Sequence, residues 1–174
     1  MSSSEILLRP LTPADAPAYR VVRLDALAQF PEAFISTVDE EARTADVWSV
    51  QRLQPSDGQV LIGAFVGDVL AGTGGLKRRP RRKEHHKADL FGMYVAPLHA
   101  GRTIGRKLVD ALVATARTWP GLEQVLLTVT RTNTRAHRLY HDAGFVTFGV
   151  EHRAIKLGDR YFDKEHMVLF LNAS

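Results

Sequence analysis

The chain of 174 residues contains no cysteine. Disulfides, thiolate metal sites and a cysteine nucleophile are therefore excluded. Long apolar runs are also missing. Nothing near MSSSEILLRPLTP forms the hydrophobic stretch of a signal peptide, and no segment is long enough to span a bilayer. The expectation is a cytoplasmic protein with no membrane association. Repeats, low-complexity tracts and linkers are absent, so one domain over residues 1–174 is the simplest organisation. His137 and His141 stand four apart, but no third ligand is evident and H-E-x-x-H does not occur, so no metal site is expected.

What remains is an ordinary globular composition, 45% apolar and 24% charged, enough to bury a sizeable core. The formal charge is +4, and KRRPRRKEHHK (77–87) holds seven of the 23 lysines and arginines. One reading is a grip on a polyanion. No aromatic residue is interleaved to stack a base, and Pro80 sits mid-run. A solvated loop between two strands is the preferred reading, and nucleic acid is not the expected partner.

The pattern along the chain alternates between strand and helix signals. EILLRPL (5–11) reads as a strand. Thr12, Pro13 and Asp15 supply a cap, a first-turn proline and an acidic third position. Tyr19, Val22, Ala26, Leu27 and Phe30 then fall at helical spacing, predicting a helix to about Gln29. Residues 40–54 predict a second, weaker helix with Val47, Val50 and Leu53 as its stripe and Trp48 beside it. QVLIGAFV and VLAGTGGLK, joined by Gly67-Asp68, predict a tight hairpin.

ADLFGMYVAP predicts a strand ended by Pro97, and 104–118 a helix with Ile104, Leu108, Leu112, Thr115 and Trp119 near one face. EQVLLTVT (123–130) is apolar enough to predict a central strand buried on both faces. A helix from about Thr134 to Ala143 stops at Gly144. Two strands follow, near 145–153 and 161–171. Strand–helix–strand in the middle implies a parallel pair, and the flanking hairpins imply antiparallel ones. The expected fold class is α/β (α+β): a mixed, mostly antiparallel sheet with a central parallel strand pair and helices on both faces.

HAGRTIGR (99–106) lies where the first strand of that pair runs into its helix. Ligands of open α/β sheets bind beyond the carboxyl ends of parallel strands, and a helix start presents free N–H groups there. Gly101 and Gly105 permit close backbone approach, and Arg102, Arg106 and Lys107 add positive charge. The chemistry suits a pyrophosphate. It is neither a Walker loop nor the dinucleotide fingerprint. Thr103 stands where a glycine cradle would carry glycine, and only a required positive φ would make threonine costly there.

NTRAHRLYHDAGF (133–145) adds a second motif: Asn133 at a helix start, Tyr140 two turns in, Gly144-Phe145 closing the helix. Together with YVAPLHAGRTIGRKL it resembles the GNAT superfamily of N-acetyltransferases, over roughly residues 5–171 and most specifically 88–145. The superfamily's cradle pattern is Gln/Arg-x-x-Gly-x-Gly/Ala. Of its specified positions here, Ala100, Thr103 and Gly105, only the last matches.

The resemblance implies acetyl-CoA as co-substrate, held in a splay between the strands ending near Val95 and Thr130. Pantetheine would pair along Met93, Tyr94 and Val95. The pyrophosphate would lie on the backbone of Gly101, Arg102, Thr103, Ile104, Gly105 and Arg106. Asn133 would touch the pantetheine arm, and Tyr140 would face the sulfur as the acid. Backbone N–H near Tyr94 would hold the oxyanion. Asp89 is the candidate base acting through water, with Glu84 and His86 as weaker alternatives nearby. The acceptor, a primary amine of a small molecule or a peptide, would meet residues 29–37 and 152–162, with Phe34, Arg153 and Tyr161 as candidate contacts. A homodimer is left open. The competing readings are a non-catalytic acyl-CoA-binding module of the same fold and a nucleic-acid-associated protein using residues 77–87.

Overall fold

A computed structural model describes residues 5–44, 46–101 and 103–171. Among them, seven strands form one sheet: β1 (Ile6–Pro10), β2 (Gln59–Val66), β3 (Val69–Arg78), β4 (Lys87–Val95), β5 (Gln124–Thr130), β6 (Val146–Leu157) and β7 (Arg160–Phe170). Their order is β1-β2-β3-β4-β5-β7-β6. Every neighbouring pair is antiparallel except β4 and β5, which are parallel. The helix crossing between those two strands is α4 (Ile104–Thr118).

Two apolar layers sandwich the sheet. On one side α4 lays Ile104, Leu108, Val109, Leu112 and Ala116 against Ile62, Ala71, Leu76 and Leu90. The face also takes in Val109 and Ala116; of the expected residues, Trp119 packs half-buried against this core and Thr115 is the exception. Thr115 turns its hydroxyl back to the Ala111 carbonyl at 2.9 Å, and Trp119 lies under the Arg78 guanidinium. On the other side α1 (Ala16–Gln29) packs Tyr19, Val22 and Ala26 with Leu61, Phe65, Leu70 and Tyr94. The start of α1 is pinned to β1: Arg9 donates to both Asp15 oxygens at 2.7 and 2.8 Å, and Asp15 accepts from the Thr12 amide at 2.8 Å.

Two expectations change. The helix predicted over 40–54 is two helices, α2 (Val38–Ala42) and α3 (Asp46–Arg52). Thr37 caps Glu40 and Glu40 reaches back to the Thr37 amide, so α2 begins earlier. The Thr44 hydroxyl and amide both close on the Glu41 carbonyl and stop it. Ser49, with Leu53, takes the buried face of α3, and Val47 is exposed. Strand β5, expected to be buried on both faces, buries Val125, Leu127 and Val129 but leaves Thr128 exposed, because Thr128 lines a cleft beside it. The basic segment is a loop between β3 and β4, as its composition implied. Arg79 within it pairs with Glu84 and Asp89 at 3.0 and 2.8 Å.

Candidate active site

The parallel pair is short. Strands β4 and β5 register only at Lys87 with Gln124, Ala88 with Val125 and Asp89 with Leu126. Beyond these residues the strands part. Gly92, at φ 62°, forms the pivot on β4, where the β3–β4 register slips between Thr73 and Gly75. Further along, the Ala96 amide bonds to Ala71 on the β3 side. Alternation along the strand then turns the Val95 N–H toward the open β5 side.

The parting opens a cleft in two adjoining halves, which share Phe34, Met93, Asn133 and Tyr140. The outer half, about 570 Å³, runs past Tyr94 and Val95 to the turn before α4. The inner half, about 290 Å³, lies between β4 and β5 and reaches the α1 and α3 side.

The outer half is floored by the phosphate-cradle segment. Its residues Gly101, Thr103, Ile104, Gly105 and Arg106 all line the cleft, and Arg102 lies outside the described residues. Thr103 is the N-cap of α4 with φ 60° and ψ 8°, the left-handed conformation glycine would take without strain. The cradle thus keeps the backbone path of a glycine turn, with a β-branched residue forced onto it. The N–H groups at the start of a 15-residue helix still face the opening. Arg106 is less available than its place in the motif suggested. Its Nε donates to Asp110 at 2.8 Å and its Nη1 to the Asp142 carbonyl at 3.2 Å.

Helix α5 (Thr134–Asp142) forms the opposite wall. Asn133 is its N-cap, accepting from the Ala136 amide through Oδ1 at 3.1 Å. Its side-chain NH₂ is left with no bond to the described residues. Tyr140, two turns on, is 7% exposed, and its ring meets Phe145 edge to face at 6.0 Å. Burial pushes its hydroxyl well above the ordinary tyrosine range. Tyr94 also lines the cleft and donates to Asp25 Oδ2 at 2.5 Å. Burial first, then that bond, pushes Tyr94 up as well.

The site brings together Met93, Tyr94, Val95, the described cradle residues, Asn133 and Tyr140. Asp89, the expected base, is not among the lining residues. It sits in the closed part of the parallel pair, and Arg79 grips both its oxygens at 2.8 to 3.2 Å. Glu84 is tied to the same arginine. Phe34 lines both halves of the cleft. Arg153 and Tyr161 line neither and instead stack on each other at 4.9 Å.

Among the described residues, no aspartate or glutamate lines either half. Cations do: Arg106 and Arg135 outside, Arg23, Arg52 and Lys164 inside. The inner three escaped the sequence reading. Lys164 had a signal, since it takes the inward position in the alternation Phe162, Lys164, His166, Val168. Arg23 and Arg52 read as ordinary polar helix positions, and only the tertiary fold turns them inward.

Comparison with known proteins agrees with this geometry. The sequence model of the acetyltransferase (GNAT) family matches residues 22–145. The L-amino acid N-acetyltransferase AaaT of Escherichia coli (strain K12) is 26% identical over 166 residues, covering 94% of this chain and 97% of that protein. Among solved structures, the GNAT-family acetyltransferase of Streptococcus pneumoniae superposes with a TM-score of 0.79 at 22% identity, covering 97% of this chain and all of that one. The yncA protein of Salmonella typhimurium, solved with its cofactor acetyl-CoA, gives 0.81 at 22% identity, over 98% and 96% of the two chains. The family match takes in the parting strands, the cradle and the Asn133–Tyr140 helix, and with it the chain belongs to the acetyltransferase (GNAT) family.

Proposed function

We propose that the whole chain is a single N-acetyltransferase domain that moves an acetyl group from acetyl-CoA to a primary amine by direct attack on the thioester. The observation that carries this reading is the parting of β4 and β5 after Asp89 and Leu126 into a cleft under the N-terminus of α4. The residues present fit an anionic, extended co-substrate: an unpaired strand edge, helix N–H groups, cationic side chains and, among the described residues, no lining carboxylate.

Acetyl-CoA supplies the activated carbonyl and the leaving thiol. The amine nitrogen attacks the carbonyl carbon, the C–S bond breaks, and the thiolate takes up a proton. The Val95 N–H, turned toward the open edge, supports the developing oxyanion. Tyr140 stands near the sulfur position. An ordinary phenol of pKa about 10 is already a weaker acid than a thiol of about 8.5, and burial weakens Tyr140 further. Its role is therefore a hydrogen bond to the leaving thiolate rather than full proton transfer.

With Asp89 engaged by Arg79, the cleft handles the amine differently from the expectation. A lysine-type amine of pKa about 10.4 is less than about 0.1% neutral at pH 7, and the α-amine of a free amino acid, held up by its own carboxylate, is also mostly protonated there. The lining cations disfavour an ammonium among them and shift it further toward the neutral form, its proton leaving to solvent. An α-amine is the acceptor that the L-amino acid relative suggests.

Isothermal titration with acetyl-CoA tests the reading, beside Thr103→Glu, which places a negative charge in the cradle. Saturable binding that the variant loses is expected. Thiol release with an α-amine panel follows, and Tyr140→Phe is expected to lower kcat about a hundredfold while acetyl-CoA still binds. Absence of binding at high-micromolar acetyl-CoA overturns the reading. One observation favours a non-catalytic acyl-CoA-binding module, the strained Thr103 in the cradle. Binding without thiol release for any amine would decide for it.

A further inference from the structure

Three cations face the inner half of the cleft, and their states differ. Arg23 is already matched: Glu41 accepts from its Nη2 at 2.6 Å and its Nε at 2.9 Å. Arg52 makes no ion pair with a described carboxylate, although Glu41 and the Tyr19 hydroxyl lie within its electrostatic reach. Its guanidinium is held over Trp48 at 4.9 Å and Phe91 at 5.1 Å, and its Nε is buried without a hydrogen bond. Lys164 is the most unusual. It is 6% exposed, lines the inner cleft, and makes no hydrogen bond or ion pair with any described residue. Glu151 is opposite it on β6 and attracts its charge, while that carboxylate also bonds to His166 at 3.2 Å.

The Lys164 ammonium opens onto the cleft with only the charge of Glu151 acting on it, and a cation so poorly matched is costly to hold there. So is a guanidinium with an unsatisfied Nε. Two such groups lining one small hollow beside the proposed transfer centre ask for a compact anion. Acetyl-CoA enters along the outer half, so the anion belongs to the acceptor. We infer that Lys164 and Arg52 form a carboxylate subsite, and that the acceptor is a free amino acid held by its carboxylate with its amine toward the thioester. This inference rests on the acetyltransferase reading above and adds what that reading lacks, the group that selects the acceptor. It also separates this site from one for protein N-termini, which carry an amide at the same place.

The test compares each standard L-amino acid with its own α-amide in thiol release, in wild type, Lys164→Met and Arg52→Gln. The acid is expected to exceed its amide in kcat/KM by about tenfold or more, the loss typical of removing one partner of a charge-assisted hydrogen bond. Both variants are expected to bring the ratio toward one while acetyl-CoA still binds. Lys164→Met removes a poorly matched charge at similar length, so its melting temperature is expected to hold or rise. Titration of N-acetyl-L-amino acids against their amides supplies a readout without turnover. Equal use or equal binding of acid and amide by wild type overturns the inference, as does a ratio that survives in both variants. Preference for peptides with free N-termini overturns it too. Failure of acetyl-CoA to bind instead sinks the acetyltransferase reading, and the acid–amide binding comparison remains readable in that case.

Discussion

At Thr103, the N-cap of α4 within the phosphate cradle, a threonine holds φ 60° and ψ 8°. The left-handed region brings Cβ toward the following carbonyl at a cost of about 1–2 kcal/mol. Glycine would remove that strain and lose about 0.5–1 kcal/mol through its freer unfolded state. Thr103→Gly is therefore expected to stabilise the protein by about 0.5–1 kcal/mol in urea melts. The backbone N–H groups keep their path, so acetyl-CoA affinity is expected to stay equal or tighten by titration. Destabilisation would mean that the threonine side chain contributes more to the cradle than its backbone costs. The same residue shows the limit of motif matching. The departure from glycine was readable in the sequence, but whether it mattered depended on one dihedral angle.

Strand β4 carries the site because it changes partners midway. Up to Asp89 it pairs on both edges, and past Gly92 it pairs with β3 alone. A Cβ on Gly92 would meet nothing within 4 Å, so only its φ of 62° resists substitution. Gly92→Ala is expected to lose about 1–2 kcal/mol of stability, all of it backbone strain. If the strand relieves the strain by shedding its bulge, the β5-facing edge loses register with the cleft. Acetyl-CoA affinity should then fall more than stability does, as paired titration and urea melts would show. A loss of stability with unchanged affinity would confine the role of Gly92 to folding.

Much of this element was legible beforehand. The apolar run ended by Pro97, the helix behind it and the next apolar strand announce a parallel pair by local order alone. The tertiary pairings were not legible. Arg79 captures Asp89 from a neighbouring strand end, and Thr37 and Thr44 divide one apparent helix into two through side-chain bonds that periodicity does not register. Arg52 and Lys164 meet only because α3 and β7 approach the same hollow from distant parts of the chain.

Across the whole molecule, the groups shifted by burial make stability depend on pH with two opposite slopes. Burial lowers Lys164 below the ordinary lysine value, so the native state binds fewer protons there than the unfolded chain. Stability then rises with pH up to about 10.4, the unfolded lysine value. Tyr19, Tyr94 and Tyr140 are shifted up, each chiefly by burial. Above about pH 10 the unfolded chain loses those phenolic protons and the native state keeps them, so stability falls as pH rises further. Urea midpoints should therefore climb through the mildly alkaline range, peak near pH 10 and drop beyond it. Lys164→Met should flatten the climb and leave the drop, because the two limbs belong to different groups. Phenolate absorbance followed in parallel should show these three tyrosines ionising together with unfolding rather than ahead of it. If the climb persists in Lys164→Met, other groups produce it, and the support for a carboxylate subsite at Lys164 weakens.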